Sequence, residues 1–472
     1  MITDATIMKH FSAWKRNGRI TSSRPLFLAG WIFLSACGFS IAAERDRFPL
    51  KVGWASTDIT PEGSARMRGG INSAGVLDPI TATVLVLERS DPSGKSDTFH
   101  DAVVLVSCDL QHITDGNRYA ANMRDDVRAR VTKSIPELRG EQIILMATHT
   151  HVAPSVQSDA KYNKFATPLI ADAVIQAWQR RAPGGVSYGL GHAVAGHNRI
   201  ATYADGRSRM SGSFQKGSTG NSKFTHLEGF EDHSVNLLYT WDRKKKLTGV
   251  IANVACPAQV QRGDKISADY WHEVREILRD ELGPDVALLP QLSAAGDIAT
   301  TVMVERKAER RMQQLRLPGS NDERAQRRKE IARRISATIS ETLSVVKSEI
   351  DFSPVLLHAM SVLEIRGGFP EPVPDAPMFP IEIHAVRLGD VAMVTNPFEL
   401  YLDYGIRMKG RSPAVQTFVV ELAGSASYLP TERAVRQGGY GAIAKTCVVG
   451  PKAGERVVSE TLSLLESLWH SE

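Results

Sequence analysis

Three features of the 472-residue sequence predict an α/β fold of the layered α+β kind, with mixed β-sheets flanked by helices and a site at strand ends. Short runs dense in Val and Leu, such as "PITATVLVLERS" (79–90) and "DAVVLVSCDL" (101–110), have the length and composition of strands buried on both faces. They alternate with longer segments of helical character, such as "GNRYAANMRDDVRARVTKSI" (116–135). Several apolar runs end in polar loops carrying His, Cys, Glu or Tyr, and the loops at strand ends are where α/β sheets gather ligands. Composition agrees: 42% hydrophobic and 23% charged residues are ordinary for a chain with a large core.

The formal charge is +5, and most of it lies within residues 1–43, where Lys9, Lys15, Arg16, Arg19 and Arg24 face a single acid, Asp4. The nearly neutral remainder gives no reason to invoke nucleic acid. "PLFLAGWIFLSACGFSIAAERD" follows, and a basic, then apolar, then small-residue order is that of a secretory signal. "LSAC" resembles a bacterial lipobox, which would lipidate Cys37 and attach the protein to a membrane; "SIA" before Ala43 resembles an ordinary cleavage site. The apolar run barely reaches the roughly 18–20 residues a spanning helix needs. All readings place the body outside the cytoplasm, in the periplasm or at the cell surface. Three cysteines lie beyond this leader, Cys108, Cys256 and Cys447, so at least one thiol is unpaired within the chain. A metal or a buried inert thiol would explain it, and pairing of Cys108 with Cys447 stays open.

Along the body, "KVGWASTDITP" (51–61) opens with a strand and a turn, and 79–90 and 101–110 are the next strands. The helix at 116–135 leads to the strand "EQIILMATHTH" (141–151), and "PLIADAVIQAWQRR" (168–181) is an amphipathic helix. Residues 200–230, rich in Gly and Ser, are expected to be a long loop at a site. "HSVNLLYTWD" and "LTGVIANVAC" form a hairpin around "RKKK"; "SADYWHEVREILRDEL" (267–282) is a helix and "VALLPQLSAAGD" (286–297) a strand running into a loop. Residues 321–347 make a helix capped by Asn321, with Ile331, Ile335, Ile339 and Leu343 in one apolar stripe. The runs "ERKAERR" and "DERAQRRKE" read as solvated helix faces or, alternatively, a partner surface. "GGFPEPVPDAPMFP" (367–380) is a Pro-rich connection within a domain.

Five places carry candidate chemistry. On a strand, alternate residues share a face, so His149 and His151 in "THTHVAPS" point together. They suit metal ligation or proton handling, and equally a polar strand end. "ANVACPAQVQ" ends a buried strand at Cys256. "VAMVTNPFELYLDYGIRMK" carries Glu399 near the start of a helix, where the dipole alone would favour a carboxylate. "VVELAGSASYLPTERAV" carries Tyr428, and "AGHNRIATY" carries Arg199.

In wording and order these motifs resemble the neutral, non-lysosomal ceramidase family. "GWASTDITP" is similar to its Gly-x-x-x-x-Asp-Ile-Thr-Pro opening, "THTHVAPS" to its Thr-His-Thr-His-Ser-Gly-Pro, and "HNRI" to its Asn-Arg-Ser-Pro. "NPFELY" is similar to Pro-Gly-Glu-Phe-Thr, and "YLPTERAV" to Tyr-x-Thr-Thr-x-Glu-Glu-Tyr, with a second tyrosine at Tyr440. The matches run from about residue 51 to 450. The resemblance implies a single catalytic domain over 44–472 and one Zn²⁺ held by His149, Glu399 and Tyr428. Where the family has its fourth ligand, a His in Ala-Val-His-Pro-Thr, this chain reads "NVACPAQ", so Cys256 would be that ligand as a thiolate. His151 would shuttle a proton or polarise substrate, Arg199 would hold a carbonyl, an anionic group or a developing oxyanion, and Tyr440 would donate to the same region. A catalytic Ser of the family falls at Ala299 in "SAAGDIATT", with Thr300 adjacent but out of register, and the chain lacks room for the family's C-terminal immunoglobulin-like domain.

The function expected is an exported zinc-dependent hydrolase of an N-acyl amide, using metal-activated water on a small-molecule or lipid substrate. The Cys256 and Ala299 departures and the polar 200–230 segment point instead toward a carbohydrate or other polar substrate. Ala299 also fits a surface binding protein that keeps the fold without turnover; the dispersed His149, Glu399 and Tyr428 set argues against it.

Overall fold

Strands β1 (Leu50–Asp58), β2 (Thr81–Arg89), β3 (Ala102–Cys108), β4 (Ile143–Ala147), β5 (Ala182–His192), β6 (Ser234–Asp242), β7 (Leu247–Val254) and β8 (Ala287–Leu292) join in one sheet, ordered β8-β7-β6-β5-β1-β2-β3-β4. The β3–β4 and β7–β8 pairs are parallel and the others antiparallel, so the sheet is mixed as expected. This is a computed structural model that describes residues 49–89, 102–117, 119, 121–211 and 215–470. The N-terminal leader and Cys37 lie outside the described residues.

Burial on both faces explains the unbroken Val/Leu runs. Val84, Val86, Val104 and Val106 face helices α1 (Met123–Ser134) and α2 (Ala160–Arg180) through Val127, Val131, Ile170 and Val174. At the far half of the same sheet, Leu237, Tyr239, Val250 and Ala252 meet α3 (Tyr270–Leu282) and the stripe Ile331, Ile335 and Ile339. That stripe belongs to α5 (Glu323–Val346), which follows the shorter α4 (Arg306–Arg316). Leu85, Leu87, Leu105 and Ile144 point the opposite way, toward Val386, Met393 and Phe418 of a second sheet. That sheet holds β9 (Leu356–Arg366), β10 (Met378–Leu388), β11 (Val391–Thr395) and β12 (Gln416–Val420), in that order, with β11 and β12 parallel. Its outer face is covered by α6 (Leu402–Arg411) and, beyond the short α7 (Glu432–Gln437), by α8 (Pro451–Trp469), through Met408, Val457 and Leu465. The order of layers is helices, sheet, sheet, helices. Each buried Val or Leu adds about 1.5–3 kcal/mol over an exposed one.

Several elements differ from expectation. The strand expected over 141–151 stops at Ala147, so His149 and His151 lie beyond it. α2 begins at Ala160 rather than 168: the Asp159 carboxylate accepts from the Tyr162 N–H at 2.9 Å, so Pro168 sits inside the helix rather than opening it. Asp322, not Asn321, caps α5, accepting from the N–H groups of Arg324 and Ala325 at 2.9 and 3.3 Å. The segment 200–230 is not wholly loop: Ile200–Tyr203, Ser208–Met210 and Phe224–Leu227 form a small antiparallel sheet. The Pro-rich stretch joins β9 to β10, its last residues already paired in β10. α8 has no counterpart among the sequence-based expectations. Among the described residues no helix is long and apolar enough to cross a membrane.

Candidate active site

The carboxyl ends of β4, β7, β8, β11 and β12 lead into the loops that bear the candidate residues. Past β4, the Thr148 N–H donates to the Cys108 carbonyl (3.0 Å) and the His149 N–H to the Leu110 carbonyl (2.9 Å), extending the β3 edge by hand-holds rather than by pleat. His149 then takes φ = 65°, a left-handed conformation costing a β-carbon-bearing residue about 1–3 kcal/mol. This turn, not strand alternation, brings the two imidazoles together, with Nε2 of His151 3.2 Å from Nε2 of His149.

The hydrogen bonds decide the protons. Nδ1 of His149 lies 2.9 Å from the Gln111 carbonyl, which can only accept, so Nδ1 carries the proton and Nε2 faces the pocket. The Arg68 guanidinium donates to Nδ1 of His151 at 2.8 Å, so the His151 proton sits on Nε2. Burial first, then the neighbouring His149, Arg68 and Arg199, push His151 well below the ordinary histidine value, which keeps it neutral.

Glu399 is not in the first turn of a helix. It lies in a two-residue strand, Glu399–Leu400, paired in parallel with Tyr428–Leu429, and Glu399 and Tyr428 are direct register partners. Backbone pairing therefore sets carboxylate and phenol side by side. The buried Glu421 carboxylate accepts from the N–H of Leu400 (2.8 Å) and of Ala295 (3.0 Å), clamping this strand to the loop after β8. Gly296 is needed there, because a β-carbon would meet the Glu399 carbonyl at 2.5 Å. Oε2 of Glu399 is 3.5 Å from Nε2 of His149. Burial would raise the Glu399 carboxyl, but the neighbouring His149 and His112 imidazoles and the Tyr428 hydroxyl hold it at about 2. Burial and then Glu399 push the Tyr428 phenol well above its usual value, so it keeps its proton and donates it to the carboxylate. Nη2 of Arg199 donates to the Tyr428 hydroxyl at 3.3 Å and to the Gly296 carbonyl at 3.2 Å. Tyr440 stands edge-on to Tyr428, ring centroids 5.6 Å apart.

These residues line one cavity of about 390 Å³: His149, His151, Glu399, Tyr428 and Tyr440, joined by Arg68 and His112, which sequence reasoning missed. His112 stands edge-on to His149 at 5.3 Å between centroids. Its signal was available, since it follows β3 as His149 follows the parallel strand β4. Cys256 is not part of this cavity's wall. It is buried with Tyr270, Trp271 and Val254 in the apolar cluster under α3 and α5, and burial raises its thiol far above the usual range. Cys108, Cys256 and Cys447 are all buried and none is in a disulfide. Among the described residues no group of three His, Cys, Asp or Glu side chains is disposed to hold a metal ion. The Tyr428 phenol stands beside two of these side chains, so that one imidazole, one carboxylate and one phenol oxygen face the same cavity.

Arg199 has a second face. It is buried, its Nε has no hydrogen-bond partner, and it lines a neighbouring cavity of about 550 Å³. Ala299 and Thr300 share that wall, with four further arginines opposite.

No protein-family model matches the sequence, and no curated protein matches it. Solved structures do. The neutral ceramidase from Pseudomonas aeruginosa matches with a TM-score of 0.68 and 17% identity, over 89% of this chain and 74% of that one. A ceramidase complexed with C2 matches with a TM-score of 0.66, also at 17% identity, over 90% and 76%. At such identity the likeness is one of fold.

Proposed function

We propose that this chain is an exported zinc-dependent hydrolase that cleaves an acyl bond, in the first instance an N-acyl amide, at the cavity bounded by His149, His151, Glu399 and Tyr428. One observation carries the reading. Residues far apart in sequence, set by a left-handed turn after one sheet and a two-residue parallel bridge after the other, meet with their polar atoms facing one cavity. Export rests on the basic, apolar and small-residue order of the first 43 residues.

His149, Glu399 and Tyr428 would hold the metal; when bound, zinc supplies Lewis-acid polarisation and a water acidic enough to ionise near neutrality. The chain's own residues do the rest. Arg199, fixed and desolvated, offers its guanidinium to the oxygen that gains charge as the carbonyl is attacked. His151, with Nδ1 taken by Arg68, can act only through Nε2, and as a neutral imidazole it serves as a hydrogen-bond donor to that oxygen or to the leaving group. Ala299 offers no hydroxyl, so attack falls to water rather than to a side chain at that position.

Purified protein should hold about one zinc per chain by elemental analysis and hydrolyse at least one member of a panel of N-acyl amides. His149→Ala and Glu399→Ala should each lose the metal and lower turnover by roughly 10²–10⁴-fold. Full activity in metal-stripped protein, or unchanged zinc in both variants, would sink the reading.

A further inference from the structure

The cavity on the other side of Arg199 is built for negative charge. Five arginines line it, Arg199, Arg262, Arg306, Arg324 and Arg327, against two carboxylates. Both carboxylates are engaged elsewhere: Asp322 caps α5, and Glu323 is ion-paired with Arg310. Among the described residues none of the five arginines makes an ion pair. Arg327 reaches only the Thr301 hydroxyl, at 3.1 Å, whereas the next residue, Arg328, pairs with Asp78 at 2.6 Å and Glu273 at 2.8 Å. Arg306 and Arg324 stand in the first turns of α4 and α5, where the helix dipole disfavours a cation. Burial first, and then neighbouring arginines, hold Arg262 and Arg327 below the ordinary arginine value. Arg199 is buried with an unpartnered Nε, Arg327 is half-buried, and Arg262, Arg306 and Arg324 are exposed, so the guanidinium forks face a solvent-filled space in which an anion would meet them.

We propose that this cavity binds an oxyanion of the substrate, a carboxylate, sulfate or phosphate, and that the substrate is an acidic, hydroxyl-bearing acyl compound rather than a neutral lipid. The inference rests on the reading that the adjoining cavity is the reaction centre; Arg199, in the wall of the arginine cavity, reaches it through its hydrogen bond to the Tyr428 hydroxyl. The remaining walls agree: Ser211, Gln259, Thr300 and Asn321 offer hydrogen bonds, and no large apolar surface awaits an acyl chain. Planar guanidinium forks suit carboxylate, sulfate and phosphate oxygens in pairs.

Calorimetry on the full chain with sodium sulfate, inorganic phosphate and glucuronate separates the three anions, and the tightest names the group. The double variant R262A/R327A should weaken that binding at least ~30-fold, as expected for losing two charge-assisted contacts, while R262K/R327K retains part of it. Turnover is then compared on an N-acyl amino sugar and its sulfated or carboxylated counterpart. The wild type should prefer the charged member, and R262A/R327A should raise KM for that member alone, with zinc content unchanged. A wild type that binds none of the three anions, or that treats both members alike, overturns the inference and leaves the hydrolase reading standing. Anion binding lost in R262A/R327A without turnover of any acyl substrate supports the anion site and sinks the hydrolase reading instead.

Discussion

The two cavities linked by the Arg199–Tyr428 hydrogen bond are opposites in how their charges are settled. In the histidine cavity the polar groups answer one another: Arg68 to His151, His151 to His149, His149 to the Gln111 carbonyl, Tyr428 to Glu399, Arg199 to Tyr428. In the arginine cavity four further arginines outnumber the two carboxylates, Asp322 and Glu323, and among the described residues none of the four makes an ion pair. Saturated contacts fix geometry in advance, which is what a reaction centre needs. Unsatisfied like charges store repulsion, which a ligand relieves. The contrast separates a place where bonds change from a place where a molecule is held.

Arg199 is where the contrast is most easily broken. Arg199→Ala should lower turnover by about 10²–10³-fold and weaken anion binding in the same protein, with Arg199→Lys recovering charge but not the forked contact. Kinetics and calorimetry on one preparation check this. Lost turnover with untouched anion affinity would mean that Arg199 takes no part in holding the anion.

Acid sharpens the comparison from the histidine side. Glu399 titrates near 2, below its ordinary 4.5, so the stability it lends is fully present above pH 4.5 and drains away as pH falls toward 2. In metal-free protein, thermal melts from pH 6 to pH 2.5 should fall less steeply for Glu399→Gln than for the wild type. Parallel curves would show that the carboxylate is not held by its neighbours.

Cys256 gives the smallest effect and tests the border of the site. Cys256→Ala should leave zinc content unchanged and cost about 1 kcal/mol of stability, as trimming a buried apolar atom does. A fall in zinc by elemental analysis would place the thiol at the metal after all.

Much of the scaffold was legible because burial on both faces writes itself as continuous Val and Leu, as in β2 and β3, and amphipathic stripes such as Ile331, Ile335 and Ile339 mark helices. His149 and His151 were found for an incomplete reason. A pleat has a sequence period, whereas a single left-handed residue has none. Glu399 was read against a helix dipole because a two-residue strand leaves no pattern; its pairing with Tyr428 is purely tertiary. The arginine cavity was hidden in charge runs that look like ordinary solvated faces. The clue lay in position: Arg306 and Arg324 occupy helix starts, where arginine is misplaced unless something else wants it there.

The bridge between Glu399 and Tyr428 also sets a schedule. A chain delivered N-terminus first shows His149 early, but its carboxylate and phenol partners come only with the last strands and become neighbours only when both have emerged. No shorter portion of the chain ending before Tyr428 can hold the completed donor set. If the chain is exported and metal-dependent as proposed, capture of the metal would follow delivery to the destination compartment.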